Sequence, residues 1–219
     1  MITFEDIHAN DEIRAYIAKG HANLGVLGFT EHGAAHAMKA AVTAAEILTR
    51  LGYSEKEIEL AKIAGYMHDL GNCINRNDHA HLGALMAMQL LGSMGMDVED
   101  MAVIMAAIGN HDEKTGTAVD AVSAALILAD KCDVRRSRVR EQKETEFDIH
   151  DRVNYAVTSA VLSVDAEKKV IALDIELDDQ MCSVLDYFEI FMDRMIMCRR
   201  AATMLGCRFS LRANGGKVL

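Results

Sequence analysis

Histidine is followed directly by aspartate three times in this 219-residue chain: His68-Asp69 in "GYMHDLGN", His111-Asp112 in "GNHDEK" and His150-Asp151 in "DIHDRV". Six of the nine histidines fall between residues 32 and 111. Those at expected helix ends, or in the loops that follow, are His36, His68, His79 or His81, and His111, joined by the carboxylates of Asp69 and Asp130. Neutral imidazole and carboxylate are the usual ligands of Fe, Mn, Zn or Co, and a set this rich can hold two ions. Adjacent residues on a regular helix point about 100° apart, so His68 and Asp69 converge on one ion only where a helix ends. Gly71 marks such an end. Asp130 closes the apolar run "AALILAD". A carboxylate buried there needs a partner, either a metal or a cation such as Lys131.

The elements that must carry these residues read as helices. Proline is absent, and hydrophobic residues make up 51% of the chain against 26% charged, so nothing breaks a helix from within. A first helix is expected over residues 4–19, ending at Gly20, with "GHANLGVLGF" as a connector. A second runs from Thr30 as N-cap to Leu51. "SEKE" at 54–57 is a capping box that opens the helix leading to His68. "GNCINRND" reads as a loop, with Asp78 capping a helix over 79–94. Further helices cover 98–109 and 119–132. After residue 150 the stretches "VNYAVTSAVLSVD" and "KKVIALDIELD" alternate as an antiparallel hairpin, followed by a long helix and a short strand, "CRFSLRA". The expected organisation is therefore mainly α: a helical domain over 1–150, with a small α+β unit over 151–219 packed on it.

A net charge of −10 excludes a protein that coats nucleic acid, but not one that takes a small anion with help from metal or arginine. Five widely spaced cysteines without a C-x-x-C pair fit a reduced compartment. The acidic N-terminus lacks the pattern of a signal peptide, and no apolar run is long enough to span a membrane, so a cytoplasmic location is expected. Tyr187, Phe188 and Phe191 on the late helix pack as core, or against a second copy in a homodimer formed through the C-terminal unit.

The order H…HD…D, with His36 in "EHGAAHAMKAA", His68-Asp69 in "GYMHDLGN" and Asp130 in "LILADKCD", resembles the HD-domain superfamily of metal-dependent phosphohydrolases. "HAHLGA" at 79–84 is similar to the H-x-x-x-G-A segment of its two-metal members, favouring His79 over His81 as a ligand. "AAIGNHDE" at 106–113 is similar to the segment that contributes another histidine, His111. The resemblance covers roughly residues 30–140. It implies a helical bundle that hydrolyses phosphate esters or anhydrides, known substrates being nucleotides, polynucleotide ends and signalling nucleotides. His36, His68, Asp69 and Asp130 would form the core site. Asp69 would bridge to a second ion completed by His79 and His111. The cofactor is then one or two divalent ions, Fe or Mn first, with Co, Ni, Zn or Mg as alternatives. A water between them, made acidic, would supply the hydroxide that attacks phosphorus.

The candidate catalytic residues are His68, Asp69 and Lys131. Lys131 or the basic run "DVRRSRVR" would offset phosphate charge, with Arg135, Arg136 and Arg138 as substrate contacts and Arg140 beside them. Glu113 and His81 are further candidates on the substrate side, and Lys114 stands next to them. His32 shares a face with His36 without being counted as a ligand. Asp112 reads as supporting or solvated, and the His150-Asp151 pair as structural. Two other classes remain open: a di-iron oxygenase of the same fold, and a regulatory module that binds ligand without turnover.

Overall fold

A computed structural model describes residues 2–140 and 149–218 of the chain, with the side chains of residues 149 and 150 left out. The described helices are α1 (Phe4–Ala9), α2 (Asp11–Val26), α3 (Ala34–Arg50), α4 (Glu55–Met67), α5 (His79–Ser93), α6 (Val98–Gly109), α7 (Ala121–Lys131), α8 (Ile149–Ala156) and α9 (Val184–Met204). Short 3-10 turns occupy Leu70–Cys73 and Arg136–Arg138. The strands are β1 (Val157–Asp165), β2 (Val170–Leu177), β3 (Arg208–Ala213) and β4 (Gly216–Lys217). They form one sheet in that order, β1 and β2 antiparallel, β2 and β3 parallel, and β3 and β4 antiparallel. The parallel pair needs a crossover, and α9 supplies it. The architecture is mainly α, with the small hairpin–helix–strand unit expected from the sequence.

Several boundaries differ from the sequence reading. The first helix is two helices, because Asn10 ends α1 and caps α2 by accepting from the Glu12 and Ile13 amides. α2 continues through Gly20 to Val26, so the expected connector is mostly helix. Gly20 is there for packing: a Cβ on it would lie 3.2 Å from Asn72 Cβ and from Cys73 N. Asn23 on the same helix donates to the Asn72 and Cys73 carbonyls, tying α2 to the turn that follows Asp69. α3 starts at Ala34 behind Gly33 instead of at a Thr30 cap. The first residues of "VNYAVTSA" belong to α8, and the strand begins at Val157.

The capping box of α4 forms as expected, with Ser54 and Glu57 exchanging backbone hydrogen bonds. α7 is the centre of the bundle: every residue from Val122 to Lys131 is buried, and it packs on α3, α4, α6 and α9. One continuous apolar core joins the helices to the sheet, with Ile171, Leu173 and Leu211 of the strands in the same cluster as Leu126 and Leu128.

Candidate metal centre

The cluster is built where five helix ends meet. α3 presents a face of small residues, Ala37, Ala40, Ala41 and Ala44. Against it lies Gly65 of α4, where a Cβ would come within 2.7 Å of the Ala41 backbone. This close approach brings the His36 and His68 rings to a centroid separation of 5.1 Å. His68 is the C-cap of α4 and Asp69 begins the Leu70–Cys73 turn, so the pair stands where the helix releases its regular geometry. Gly71 sits against the start of α5, where a Cβ would be 2.0 Å from the His79 carbonyl oxygen. Glycine at this position therefore sets the approach of His79 to Asp69. His111 follows the Asn110 C-cap of α6, and Asp130 lies in the last turn of α7.

The four buried rings share one arrangement. Nδ1 of His68 lies 2.8 Å from the Gly65 carbonyl oxygen, that of His79 3.1 Å from Arg76 O, and that of His111 2.6 Å from Ile108 O. Nδ1 of His36 lies 2.8 Å from Asp133 Oδ2. Carbonyl oxygens only accept, and so does an ionised carboxylate, so each Nδ1 carries the proton and donates it. Each Nε2 is left with a lone pair, and these lone pairs converge. His79 Nε2 and His111 Nε2 are 3.2 Å apart. His36 Nε2 is 3.2 Å from Asp130 Oδ1, and His68 Nε2 is 3.4 Å from Asp69 Oδ2. Asp69 faces both ways: Oδ2 toward His36 and His68, and Oδ1 3.6 Å from His79 Nε2 and 4.0 Å from His111 Nε2.

The residues fit divalent metal. His36 Nε2, His68 Nε2 and Asp69 Oδ2 are buried without a hydrogen-bond partner. Leaving such an atom unpaired costs about 1–3 kcal/mol, and a cation in the cluster removes the cost. Two overlapping ligand groups have donor atoms within 4.8 Å of one another: His36, His68 and Asp130, and His68, Asp69 and His111. Burial, then the neighbouring His68 and Lys131, hold the His111 ring well below the ordinary imidazole pKa. Burial likewise lowers His79, so both rings are neutral donors. Burial also pushes His68 toward neutrality, but Asp69 and Asp130 outweigh it and raise its pKa. A proton drawn to that ring is a second sign that the cluster calls for positive charge.

A chain of charges leads away from the cluster. Lys131 Nζ lies 2.7 Å from Asp130 Oδ2 and 3.0 Å from Glu113 Oε2. Glu113 Oε1 in turn accepts from Arg194 Nε of α9 at 3.3 Å. Burial opposes the charge on Asp130, but Lys131 overcomes it and holds the carboxyl well below the usual range. Burial opposes ionisation of Glu113 as well, and Lys131 and Arg194 lower it to about 2. Glu113 is thus a carboxylate at neutral pH, an acceptor and not a proton donor.

The cluster forms the floor of a cavity of about 640 Å³, reached by Asp69, His79, His111 and Asp130. The structure separates the two histidines of "HAHLGA". His79 is buried in the cluster, whereas the His81 side chain is 56% exposed at the cavity wall, 3.8 Å from Asp78. His32 lines the cavity with its ring centroid 5.4 Å from that of His36, and donates from Nδ1 to Thr30 O. Glu113, Lys114, Lys131 and Arg138 line it too.

The basic run needs a correction. Arg135 and Arg136 are not among the cavity-lining residues. Arg135 is held by Asp133 and Ser137, and Arg136 by the Tyr155 carbonyl, the Tyr155 ring and Asp178. Both are consumed by packing the segment after α7. Arg140 holds Phe29 O and His21 O. Arg138 does reach the cavity, buried and donating to the Glu31 and Asp133 carbonyls.

Of the other His-Asp pairs, Asp112 stands 4.0 Å from His79 Nδ1 and caps the Lys114 amide, and Asp151 lines the cavity. The His150 side chain and the acidic run 141–148 lie outside the described residues. Three contributors escaped the sequence reading. Asp133, three residues beyond Asp130, orients His36; the +3 spacing was the available signal. Arg76, in the expected loop, and Arg194, on a helix far along the chain, line the cavity with no local signal.

No curated protein matches the chain. A solved structure of a predicted HD superfamily hydrolase from an uncultured Thermotogales bacterium is similar at 27% identity and a TM-score of 0.45, the match covering 57% of this chain and 67% of that one. The HD domain family model matches residues 33–155, more than half of the chain and the segment that carries all six cluster residues. The chain belongs to the HD-domain family, whose membership supports a metal-dependent hydrolase with a divalent-metal site.

Proposed function

We propose that the chain is a metal-dependent phosphohydrolase that cleaves a phosphoester or phosphoanhydride of a small, nucleotide-like anion. The observation that carries this reading is the convergence of four Nε2 lone pairs and two carboxylates, with Asp69, His79, His111 and Asp130 opening to a cavity whose walls include Arg76, Arg138 and Arg194. His36, His68, Asp69 and Asp130 would hold one divalent ion, and Asp69, His79 and His111 a second. When bound, such ions supply Lewis-acid polarisation of a phosphoryl oxygen and lower the pKa of water to near neutrality.

The chain's own side chains do the rest. Asp133 keeps the His36 proton on Nδ1, and backbone carbonyls keep those of His68, His79 and His111 there, so each Nε2 is ready to donate its lone pair. Lys131 neutralises Asp130 Oδ2 and leaves Oδ1 to the cluster. Arg138, Arg76 and Arg194 place positive charge on the walls, where an anionic group gains from it in a water-poor site.

The test is phosphate release from a nucleotide panel by protein loaded with Mn or Co, before and after chelation, with oxygen consumption followed in parallel. Release that needs metal and consumes no oxygen is expected. Oxygen uptake without phosphate release overturns the reading in favour of a di-iron oxygenase. Ligand binding with neither overturns it in favour of a regulatory module.

A further inference from the structure

The cavity is not closed by the family-matched segment alone. α9 lies beyond residue 155, yet Phe191 and Arg194 of this helix line the cavity. Arg194 is more lightly held than two other cavity cations, Lys131 and Arg138. Lys131 is held between Asp130 and Glu113. Arg138 is buried and spends its Nε and one terminal nitrogen on two backbone carbonyls. Arg194 uses only Nε, on Glu113, and among the described residues its terminal nitrogens have no hydrogen-bond partner. Its guanidinium rests on the Phe191 ring at 4.6 Å, and Phe191 is fixed by burial. A planar fork held by stacking on a helix loses little freedom on binding and presents paired donors, the geometry that suits phosphate.

Its position along the charge chain decides what it binds. Asp130, Lys131, Glu113 and Arg194 follow one another outward from the cluster. An anion over the cluster and an anion on Arg194 are therefore two groups. We propose, building on the phosphohydrolase reading, that Arg194 receives a second phosphate of the substrate, beside the reacting one. The C-terminal unit then takes part in substrate selection, favouring diphosphate-type compounds over monophosphates. Arg194 is a binding residue, and its loss moves affinity for the second phosphate without emptying the metal centre.

The probes are methylenediphosphonate and methylphosphonate, which carry two and one anionic groups and are not hydrolysed. Calorimetric titration of Mn-loaded protein is expected to show about ten- to a hundredfold tighter binding of the diphosphonate, the scale of one or two charge-assisted hydrogen bonds. Arg194→Gln should lose most of that preference while keeping methylphosphonate affinity, Mn content and melting temperature. Arg194→Lys keeps the charge without the fork and should retain part of the preference, which guards against a folding defect in the glutamine variant. Wild-type preference surviving in Arg194→Gln, as simple chelation of the metals by the diphosphonate would give, overturns the proposal, and so does a wild type without preference. Phosphate release by the wild type is scored separately: its absence, with the diphosphonate preference lost in Arg194→Gln, counts against the phosphohydrolase reading and leaves the Arg194 site standing.

Discussion

The two halves of the metal cluster are built from different materials. One half, His36, His68 and Asp130 with Asp69 Oδ2, is backed by charged side chains: Asp133 behind His36 and Lys131 behind Asp130. In the other, His79 and His111 with Asp69 Oδ1, each imidazole Nδ1 donates to a backbone carbonyl. Without metal the first half is partly compensated, because Lys131 already sits on one of its carboxylates. The second holds two imidazole lone pairs 3.2 Å apart that nothing but a cation or a proton can reconcile. A carboxylate-rich half can be tuned through its charged neighbours, while an imidazole pair held by backbone depends on the helix ends staying in place. Asp69 is the joint between them.

That contrast can be broken most severely at the joint. Asp69→Ala removes an oxygen from each half, so metal should fall below one ion per chain and phosphate release by about a thousandfold or more. Metal content by mass spectrometry and activity retained together would falsify the role given to Asp69. The halves themselves should separate under Asp130→Asn and His111→Gln. The first is expected to empty the charged half and abolish turnover, and the second to cost one ion while the other stays; equal metal loss in both would mean a single indivisible site.

Smaller effects come from the supports. Asp133→Asn leaves every ligand present but weakens the hold on the His36 tautomer, and should lower metal affinity about 10–100-fold with the fold intact. Competition titration with a chelating dye reads this directly, and unchanged affinity would separate Asp133 from the site. Gly71→Ala acts on the other half, forcing the turn off the His79 carbonyl at a cost of about 1–3 kcal/mol. Its melting temperature and its second ion should fall together; a drop in stability alone would show that His79 follows Asp69 by some other route. Last, chelation of the wild type should lower its melting temperature, since an ion at a hundred times its Kd stabilises by about 2.7 kcal/mol.

Much of the site was legible because it is locally encoded. A histidine at a helix end after an apolar run, a glycine two residues past an aspartate, and the Ser54–Glu57 box that starts the helix leading there are short-range signals. Gly20 misled for the same reason. Read locally it stops a helix, whereas its place in the fold is a contact with Asn72 and Cys73, far away in sequence. The arginine run misled more instructively. Four basic residues within "DVRRSRVR" suggested a phosphate-binding patch, yet three of them, Arg135, Arg136 and Arg140, are held by Asp133, Tyr155 O, Asp178, His21 O and Phe29 O. Clustering along the chain is not clustering in space.

What the sequence determined by itself, then, is chemical type and local geometry. It set the imidazoles and carboxylates, the helix ends that carry them, and the absence of proline that lets nine described helices form. Which of those groups meet was decided only by tertiary packing. The alanine face of α3 against Gly65 brings His36 to His68, the bare Gly71 lets α5 approach Asp69, and α9 carries Arg194 back to a cavity begun more than a hundred residues earlier. Ligand types are written one residue at a time, but convergence depends on distances between helices, and those follow from how closely small residues let their backbones approach.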